Sequence, residues 1–582
     1  MKKLMLGNEA VARGAYEAGV TVVSSYPGTP STEVTEVISK QYDEIYSEWA
    51  CNEKVAAEVA IGASFGGARS MTAMKHVGLN VAADPLYTAS YTGVNGGLVA
   101  VVADDPGLHS SQNEQDTRNH GKASKIPVVE PSDSNECKEF TRLAYELSEK
   151  FDTPVILRLT TRVAHSQSLV DVGERCDYKL KDITKDPAKY VMMPAMAKTR
   201  HAIVEKRCDD IADYGYDCPF NKMEINDTKI GVITCGISYQ YAKEALPDAS
   251  FLKLGITYPI SAKLVKEFAS KVEKIYVIEE LDSFVEDFCR SLGIEVCGKE
   301  LFTKLGEYNP QMIKKAVLGA DMPELVTVDE QIPVRPPVMC PGCPHRGMYY
   351  ILKKLKLTVC GDIGCYTLGA LAPLNSVDYC VCMGAGIGMA HGMEKARGRE
   401  NTKNVVAVIG DSTFIHSGIT GLIDVVYNKG VSTVIILDNS ITGMTGHQQN
   451  PTTGYTIKGE PTRNVDLVKL ANAVGIDRVV VADPFDLANF EKVVKEEISA
   501  EEPSVIISQR PCALLKTVNY GAPCEIDQEK CKNCKMCMGL GCPAISINDG
   551  KISIDASQCN GCTLCMNVCK FGAIKKVGED NE

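Results

Sequence analysis

The chain has 582 residues, of which 45% are hydrophobic and 23% charged, and a net charge of −12. That length exceeds what one core organises and suggests about three to five domains of ordinary globular composition. The acidic balance gives no field for nucleic acid or anionic lipid, no run approaches the roughly 20 apolar residues of a membrane span, and Asn8 and Glu9 interrupt the N-terminal stretch before signal-peptide length, so a cytoplasmic location is expected.

In chain order, a strand over Val20–Ser24 is followed by Ser25-Tyr26-Pro27-Gly28-Thr29-Pro30-Ser31-Thr32-Glu33, which opens a helix. Hydroxyls of Thr29, Ser31 and Thr32 near a helix N-terminus favour an anion, although a Pro-rich turn with a Ser or Thr cap has the same pattern. Trp49 to Ala63 begins an Ala-rich, closely packing helix that carries Glu53 and Glu58. Lys75-His76 and Arg118 supply cations that could hold a substrate carboxylate, and His76 could equally be a satisfied core histidine. Residues 166–224, rich in charge, Met, Lys and Asp, read as a linker. Residues 225–330 read as a separate α/β layer, with strands at Ile230–Thr234, Phe251–Leu254 and Ile275–Ile278 and no obvious chemistry.

Cys340-Pro-Gly-Cys343 and Gly361-Asp362-Ile-Gly364-Cys365 come next, and a C-x-x-C pair can be redox-active or zinc-binding. Met383-Gly384-Ala-Gly386 starts a tightly packing helix. Val405–Ile409 reads as a buried strand ending in Gly410-Asp411-Ser412, then a helix over Gly418–Asn428 and a second strand over Val431–Leu437 ending in Asp438-Asn439-Ser440-Ile441. A strand–helix–strand unit makes the two strands parallel, so Asp411 and Asn439, 28 residues apart, meet at one edge. An Asp and an Asn with diphosphate oxygens and waters suit Mg²⁺; the plainer reading is that Asp411 caps the helix.

Of 24 cysteines, eight fall between Cys531 and Cys569. Cys531-x-x-Cys534-x-x-Cys537 with Cys542, and Cys559-x-x-Cys562-x-x-Cys565 with Cys569, have the bacterial two-cluster spacing in which the fourth Cys of each run ligates the other cluster. Cys531, Cys534, Cys537 and Cys569 therefore hold one [4Fe–4S] cluster, and Cys542, Cys559, Cys562 and Cys565 the second. A third Cys in each run disfavours zinc. Four residues rather than three precede Cys542, a looser loop. Ile545 to Ile554 around Asn548-Asp549-Gly550 is expected to form a hairpin.

Taken together, these motifs resemble those of the 2-oxoacid:ferredoxin oxidoreductases. Gly410-Asp411-Ser412 with Asn439 is similar to the thiamine-diphosphate signature, Ser412 replacing its second glycine, and the likeness implies Mg²⁺ on Asp411, Asn439 and the Ile441 carbonyl. Gly384 and Gly386 would pack beside that site. Tyr26-Pro-Gly-Thr29-Pro resembles the family motif whose Thr contacts the 2-oxoacid carboxylate. Family position points to Glu53 as the carboxylate on the aminopyrimidine, with Glu58 the alternative. Cys340, Cys343, Cys365 and Cys512 match four cysteines that hold a cluster close to thiamine, which implies a third cluster. The resemblance divides the chain into a pyrimidine-type domain (1–165), a linker (166–224), a transketolase C-terminal-like domain (225–330), a diphosphate-type domain (335–515) and a two-cluster ferredoxin domain (522–578). The fold class is α/β, doubly wound parallel sheets with a C-terminal α+β module. The order resembles the large subunit of members acting on aryl 2-oxoacids such as indolepyruvate. It implies oxidative decarboxylation with CoA to arylacetyl-CoA and CO₂, reduction of ferredoxin, and a small γ-type (beta) partner subunit in a heterotetramer. The alternatives are the same chemistry on pyruvate or branched-chain 2-oxoacids, or a non-catalytic iron–sulfur electron-transfer subunit.

Overall fold

Apolar, β-branched runs decide the sheets. In a computed structural model, which describes residues 1–320, 330–333 and 336–578, Ser70–Lys75, Leu98–Asp104 and Val155–Thr160 are buried at every position, as parallel strands covered on both faces must be. They belong to the unit Met1–Asp329 and to a seven-stranded sheet in the order Ile256–Tyr258, Val128–Val129, Val155–Thr160, Leu98–Asp104, Ser70–Lys75, Val22–Ser25, Tyr46–Trp49. All are parallel except Ile256–Tyr258. The chain leaves Val22–Ser25 for Tyr46–Trp49 on one side and returns to Ser70–Lys75 on the other. The order reverses there, and the loops after both inner strands share one edge. The second layer of this unit is a four-stranded sheet, Lys274–Ile278, Asp227–Cys235, Ala249–Leu254 and Lys222–Glu224, matching the three strands expected.

Residues 166–224 are not a linker. Gln167–Asp171 pairs with Lys2–Leu6, and Pro194–Tyr214 is a 21-residue helix. Its buried stripe consists of Arg200, Val204, Arg207 and Ile211, half of it arginine, so a hydrophobic pattern does not reveal it. Arg207 donates to the carbonyls of Asp152 and Ser90 at 2.9 and 2.8 Å.

A buried ion network joins the two layers of this unit. Arg118, fully enclosed, donates to Asp116 (2.6 Å), Glu279 (2.5 Å) and the carbonyls of Glu280 and Asp282 (3.1 and 3.3 Å). Arg158 pairs with Asp104 (2.7 Å) and Glu130 (2.5 Å). Burial opposes ionisation of Asp116, yet Arg118 and Arg158 outweigh it and hold that carboxyl below its usual range. Glu280 has no such guanidinium bond: burial raises it to about 7, against the N–H of Tyr308.

The unit Glu330–Glu582 holds a five-stranded parallel sheet, Thr358–Cys360, Val405–Gly410, Thr433–Asp438, Ser504–Gln509, Arg478–Ala482. The helix expected from Gly418 begins at Asp411 and runs to Tyr427 through a π turn at Phe414–Gly418. The C-terminal module pairs Cys524–Ile526 with Ile574–Lys576 and contains the expected hairpin, Ile545–Asn548 with Lys551–Ile554. Asp549 and Gly550 turn it with φ of 49° and 76°. Its apolar residues Leu540, Ile545, Ile552, Leu564 and Val568 share one core with Met348, Leu352 and Phe490 of the preceding domain. Among the described residues no helix is long and apolar enough to cross a membrane.

Two stability predictions follow from the network. Arg118→Met leaves buried carboxylates uncompensated and lowers the unfolding free energy by about 3–5 kcal/mol, read by urea denaturation. Glu280, raised to about 7, contributes stability at low pH that is lost as pH rises through 7, so Glu280→Gln stabilises the fold at pH 8 and has no effect near pH 4. Equal melting shifts at both pH values contradict this.

Candidate functional site

At the reversal edge of the first unit, Asn52 caps the helix Glu53–Phe65, its Oδ1 accepting the N–H of Val55 at 2.9 Å. This places Glu53 at the helix start, 5% exposed, against Gly78, where a Cβ would come within 2.6 Å of the carboxyl Oε1. A side chain at position 78 would displace the carboxylate from this place. Glu58 is exposed and paired with Lys54, so of the two carboxylates only Glu53 is buried. Thr29 is half-buried in a loop held by Asn8, whose Nδ2 donates to the Pro30 carbonyl at 2.7 Å. Arg118 is fully enclosed, and its N–H groups are engaged by Asp116, Glu279 and the carbonyls of Glu280 and Asp282.

In the second unit, Gly410 pairs with Leu437, so Asp411 and Asp438-Asn439 lie side by side at the ends of adjacent strands. Asp411 is 3% exposed; its Oδ1 accepts the Ser412 N–H at 2.7 Å and its Oδ2 the Thr452 hydroxyl at 3.4 Å. Burial raises its pKa to about 7, and the charge that acts on it is another carboxylate, Asp438. An enclosed carboxylate beside a second one, with a buried amide (Asn439) adjoining, is a donor set that fits a hard divalent cation. Ile441 is also buried. Gly384 (φ +82°) donates to Asp362 Oδ1 at 2.8 Å, and Gly410 donates to Asp362 Oδ2 at 3.3 Å. Asp362 thus ties the glycine-rich helix start to the strand end that carries Asp411. A Cβ at Gly386 would lie 2.7 Å from the Cys360 carbonyl, which explains that glycine. Asp362, Asp438 and Thr452 acquire these roles only in three dimensions; the Gly-Asp-x-Gly run was the available signal for Asp362.

The thiols fall into three sets. Cys542, Cys559, Cys562 and Cys565 line one cavity walled by Leu540, Ile545, Ile554 and Leu564. Cys524, which sequence reasoning passed over, lines it too, and its N–H donates to Cys559 Sγ at 3.3 Å. In the second set, burial raises Cys537, with Cys534 and Cys569 adding to it; Cys531 is half-buried and Cys534 exposed. In the third, burial pushes Cys343 to about 12, with Cys365 and Cys340 contributing. Cys365 is pushed to about 11 by burial and then by Cys512 and Cys340, so these four thiols are neighbours. The Cys512 N–H donates to the Asn439 carbonyl at 2.9 Å, joining this set to the Asp411 edge. Arg346 donates to the carbonyls of Cys340 (3.1 Å) and Leu540 (2.9 Å), and Asn560 Nδ2 to that of Pro341 (3.0 Å), so the third set adjoins the first-described cavity. Among the described residues no three His, Cys, Asp or Glu side chains converge on a single ion. A cavity lined by these five thiols and apolar side chains is a donor set that fits an iron–sulfur cluster.

Three family models match the chain: a C-terminal TPP-binding domain of thiamine pyrophosphate enzymes over residues 362–508, the thiamine-diphosphate-binding domain of pyruvate flavodoxin/ferredoxin oxidoreductases over 13–217, and a 4Fe-4S binding domain over 551–574. Indolepyruvate oxidoreductase subunit IorA of Pyrococcus horikoshii is 40% identical over 99% of this chain and 97% of that protein. The subunit of the same name from Archaeoglobus fulgidus is 39% identical with the same coverage, and that of Methanothermobacter thermautotrophicus 38% identical over 99% of this chain and 98% of its own length. Asp411→Ala is expected to weaken thiamine-diphosphate binding, read by calorimetry, while iron content and melting temperature stay as in the unaltered protein.

Proposed function

We infer the reaction from family membership: this chain belongs to the indolepyruvate oxidoreductase subunit IorA family. It is an oxidoreductase subunit whose chemistry is thiamine-diphosphate-dependent oxidative decarboxylation of a 2-oxoacid, with iron–sulfur groups taking the electrons. The finer reading is that the substrate is an aryl 2-oxoacid such as indolepyruvate, that CoA receives the acyl group as arylacetyl-CoA, and that ferredoxin is the final acceptor. The observation that carries the cofactor assignment is the enclosed Asp411 carboxylate, which has a second carboxylate rather than a cation beside it.

When bound, thiamine diphosphate supplies the carbon nucleophile and the electron sink that decarboxylation needs. Asp411, Asn439 and the Ile441 carbonyl would hold Mg²⁺ and, through it, the diphosphate. Glu53 would share a proton with the aminopyrimidine N1′, a role that favours a buried carboxylate over the exposed Glu58. The Thr29 hydroxyl would meet the substrate carboxylate. Cys531, Cys534, Cys537 and Cys569, then Cys542, Cys559, Cys562 and Cys565, would each hold one [4Fe–4S] cluster, and Cys340, Cys343, Cys365 and Cys512 a third. The contact of the third set with Asn439 on one side and with the Cys542 cavity on the other supports a relay that starts at the cofactor. The relatives are named as subunits, and a small γ-type partner in a heterotetramer acting in the cytoplasm completes the reading.

The test is anaerobic co-purification with the partner subunit and a panel of indolepyruvate, phenylpyruvate, pyruvate and branched-chain 2-oxoacids, with CoA and a viologen. Aryl substrates are expected to give the highest kcat/KM; a preference for pyruvate overturns the aryl reading. Glu53→Gln is expected to lower kcat by about 10²-fold or more with iron content unchanged.

A further inference from the structure

We propose that Arg346 is the buried counter-cation of two iron–sulfur clusters, the one on Cys340, Cys343, Cys365 and Cys512 and the one on Cys542, Cys559, Cys562 and Cys565, and that its charge keeps both reducible. This rests on the cluster assignment inferred above. Arg346 is 2% exposed and lies in the first turn of the helix His345–Lys354. A cation is disfavoured at that end of a helix, and a buried cation is normally matched by a carboxylate. Among the described residues no carboxylate pairs with Arg346. Its bonds run to carbonyls: Nε to Cys340 (3.1 Å), Nη1 to Leu540 and Gly541 (2.9 and 2.5 Å), and Nη2 to Met339. These dipoles hold the guanidinium in place and leave its charge uncancelled.

Two thiol sets flank it. Arg346 lines the cavity that Cys542, Cys559, Cys562 and Cys565 also line, and Cys340, whose carbonyl it binds, belongs to the third set. The ionisable groups that act on it most strongly are Cys343, Cys542, Cys340 and Cys562, two from each set. Independently, the loop before Cys542 reaches for it. Four residues separate Cys537 from Cys542 where the two-cluster spacing has three. That longer loop ends in Leu540 and Gly541, the two residues whose carbonyls accept from Nη1. Gly541 is left-handed at φ 64°, and a Cβ there would stand 3.3 Å from Nη1 and 2.8 Å from Pro373 Cδ. The irregular spacing lets the C-terminal module close around a cation that belongs to the preceding domain.

A cluster held by four thiolates is an anion, and reduction adds a further negative charge, so net charge nearby sets its potential. In an interior with little solvent to screen it, that added charge is unfavourable, and a fixed guanidinium close by stabilises the reduced form of both clusters. Arginine suits this place because it stays protonated when buried and its fork of donors can be engaged by carbonyls without loss of charge. Each electron oxidises the group it leaves and reduces the cluster it enters; at Arg346 no bond forms or breaks and no proton moves. Arg346 acts through the clusters and is a positioning residue.

The test uses the anaerobically purified holoenzyme with its partner subunit and reads iron content and an EPR-monitored reductive titration. Arg346→Gln keeps an amide donor and loses the charge. It is expected to retain its iron while the reduction equilibria of these two clusters fall at least tenfold, about 59 mV for a one-electron couple, and that of the Cys531 cluster moves less. Arg346→Lys keeps the charge and is expected to leave all equilibria within about threefold of the unaltered protein. An Arg346→Gln protein with full iron and unmoved equilibria overturns the proposal, as do equal falls in both variants. If Arg346→Gln does not load its clusters, Arg346→Lys decides: full iron with unmoved equilibria supports the role of charge, and any other result overturns it. Unaltered protein with about eight iron atoms per chain removes the third cluster from the function inferred above. That result is distinct, and the tenfold fall at the Cys542 cluster then remains the criterion.

Discussion

A parallel strand covered on both faces can present polar side chains to a ligand only where it ends, and the chemistry of both units follows from that constraint. Leu98–Asp104, Ser70–Lys75 and Val405–Gly410 are buried along their whole length. The residues with chemical potential stand at or just past their last positions: Asp104, Lys75 and Asp411. Adjacent loops then complete each edge, with Thr29 and Glu53 on one and Asn439 and Thr452 on the other.

Buried charge is handled in two ways. At the junction of the first unit's two layers, Arg118 and Arg158 are each matched by carboxylates with bonds of 2.5 to 2.7 Å, an arrangement that fixes geometry, with Arg158 Nη2 alone left without a hydrogen-bond partner. At the edges, Asp411 and Lys75 are enclosed without a bonded partner of opposite sign, and burial moves each toward its neutral form.

The sequence makes the local parts legible. The strands at 230, 251, 275 and 405, the hairpin at 545 and the Ala-rich helix read from Trp49 on, which starts at Glu53, all rest on short-range pattern, and the structure has each of them. Where long-range pairing decides, pattern fails. The helix Pro194–Tyr214 hides its buried face behind Arg200 and Arg207, whose partners lie near Ser90 and Asp152. Arg118 offers no local sign that Glu279, 161 residues away, will consume it. Asp362 and Cys524 matter because of what the fold brings to them from elsewhere in the chain.

The common core of the C-terminal module and the domain before it has a consequence for modularity. Leu540, Ile545 and Leu564 wall a thiol-lined cavity on one side and pack with residues of the neighbouring domain's core on the other, and Arg346 stitches the two backbones together. The module is therefore no tethered passenger that could be exchanged for another carrier: the side chains that wall its thiols are also core of the domain before it, so the two share one packing.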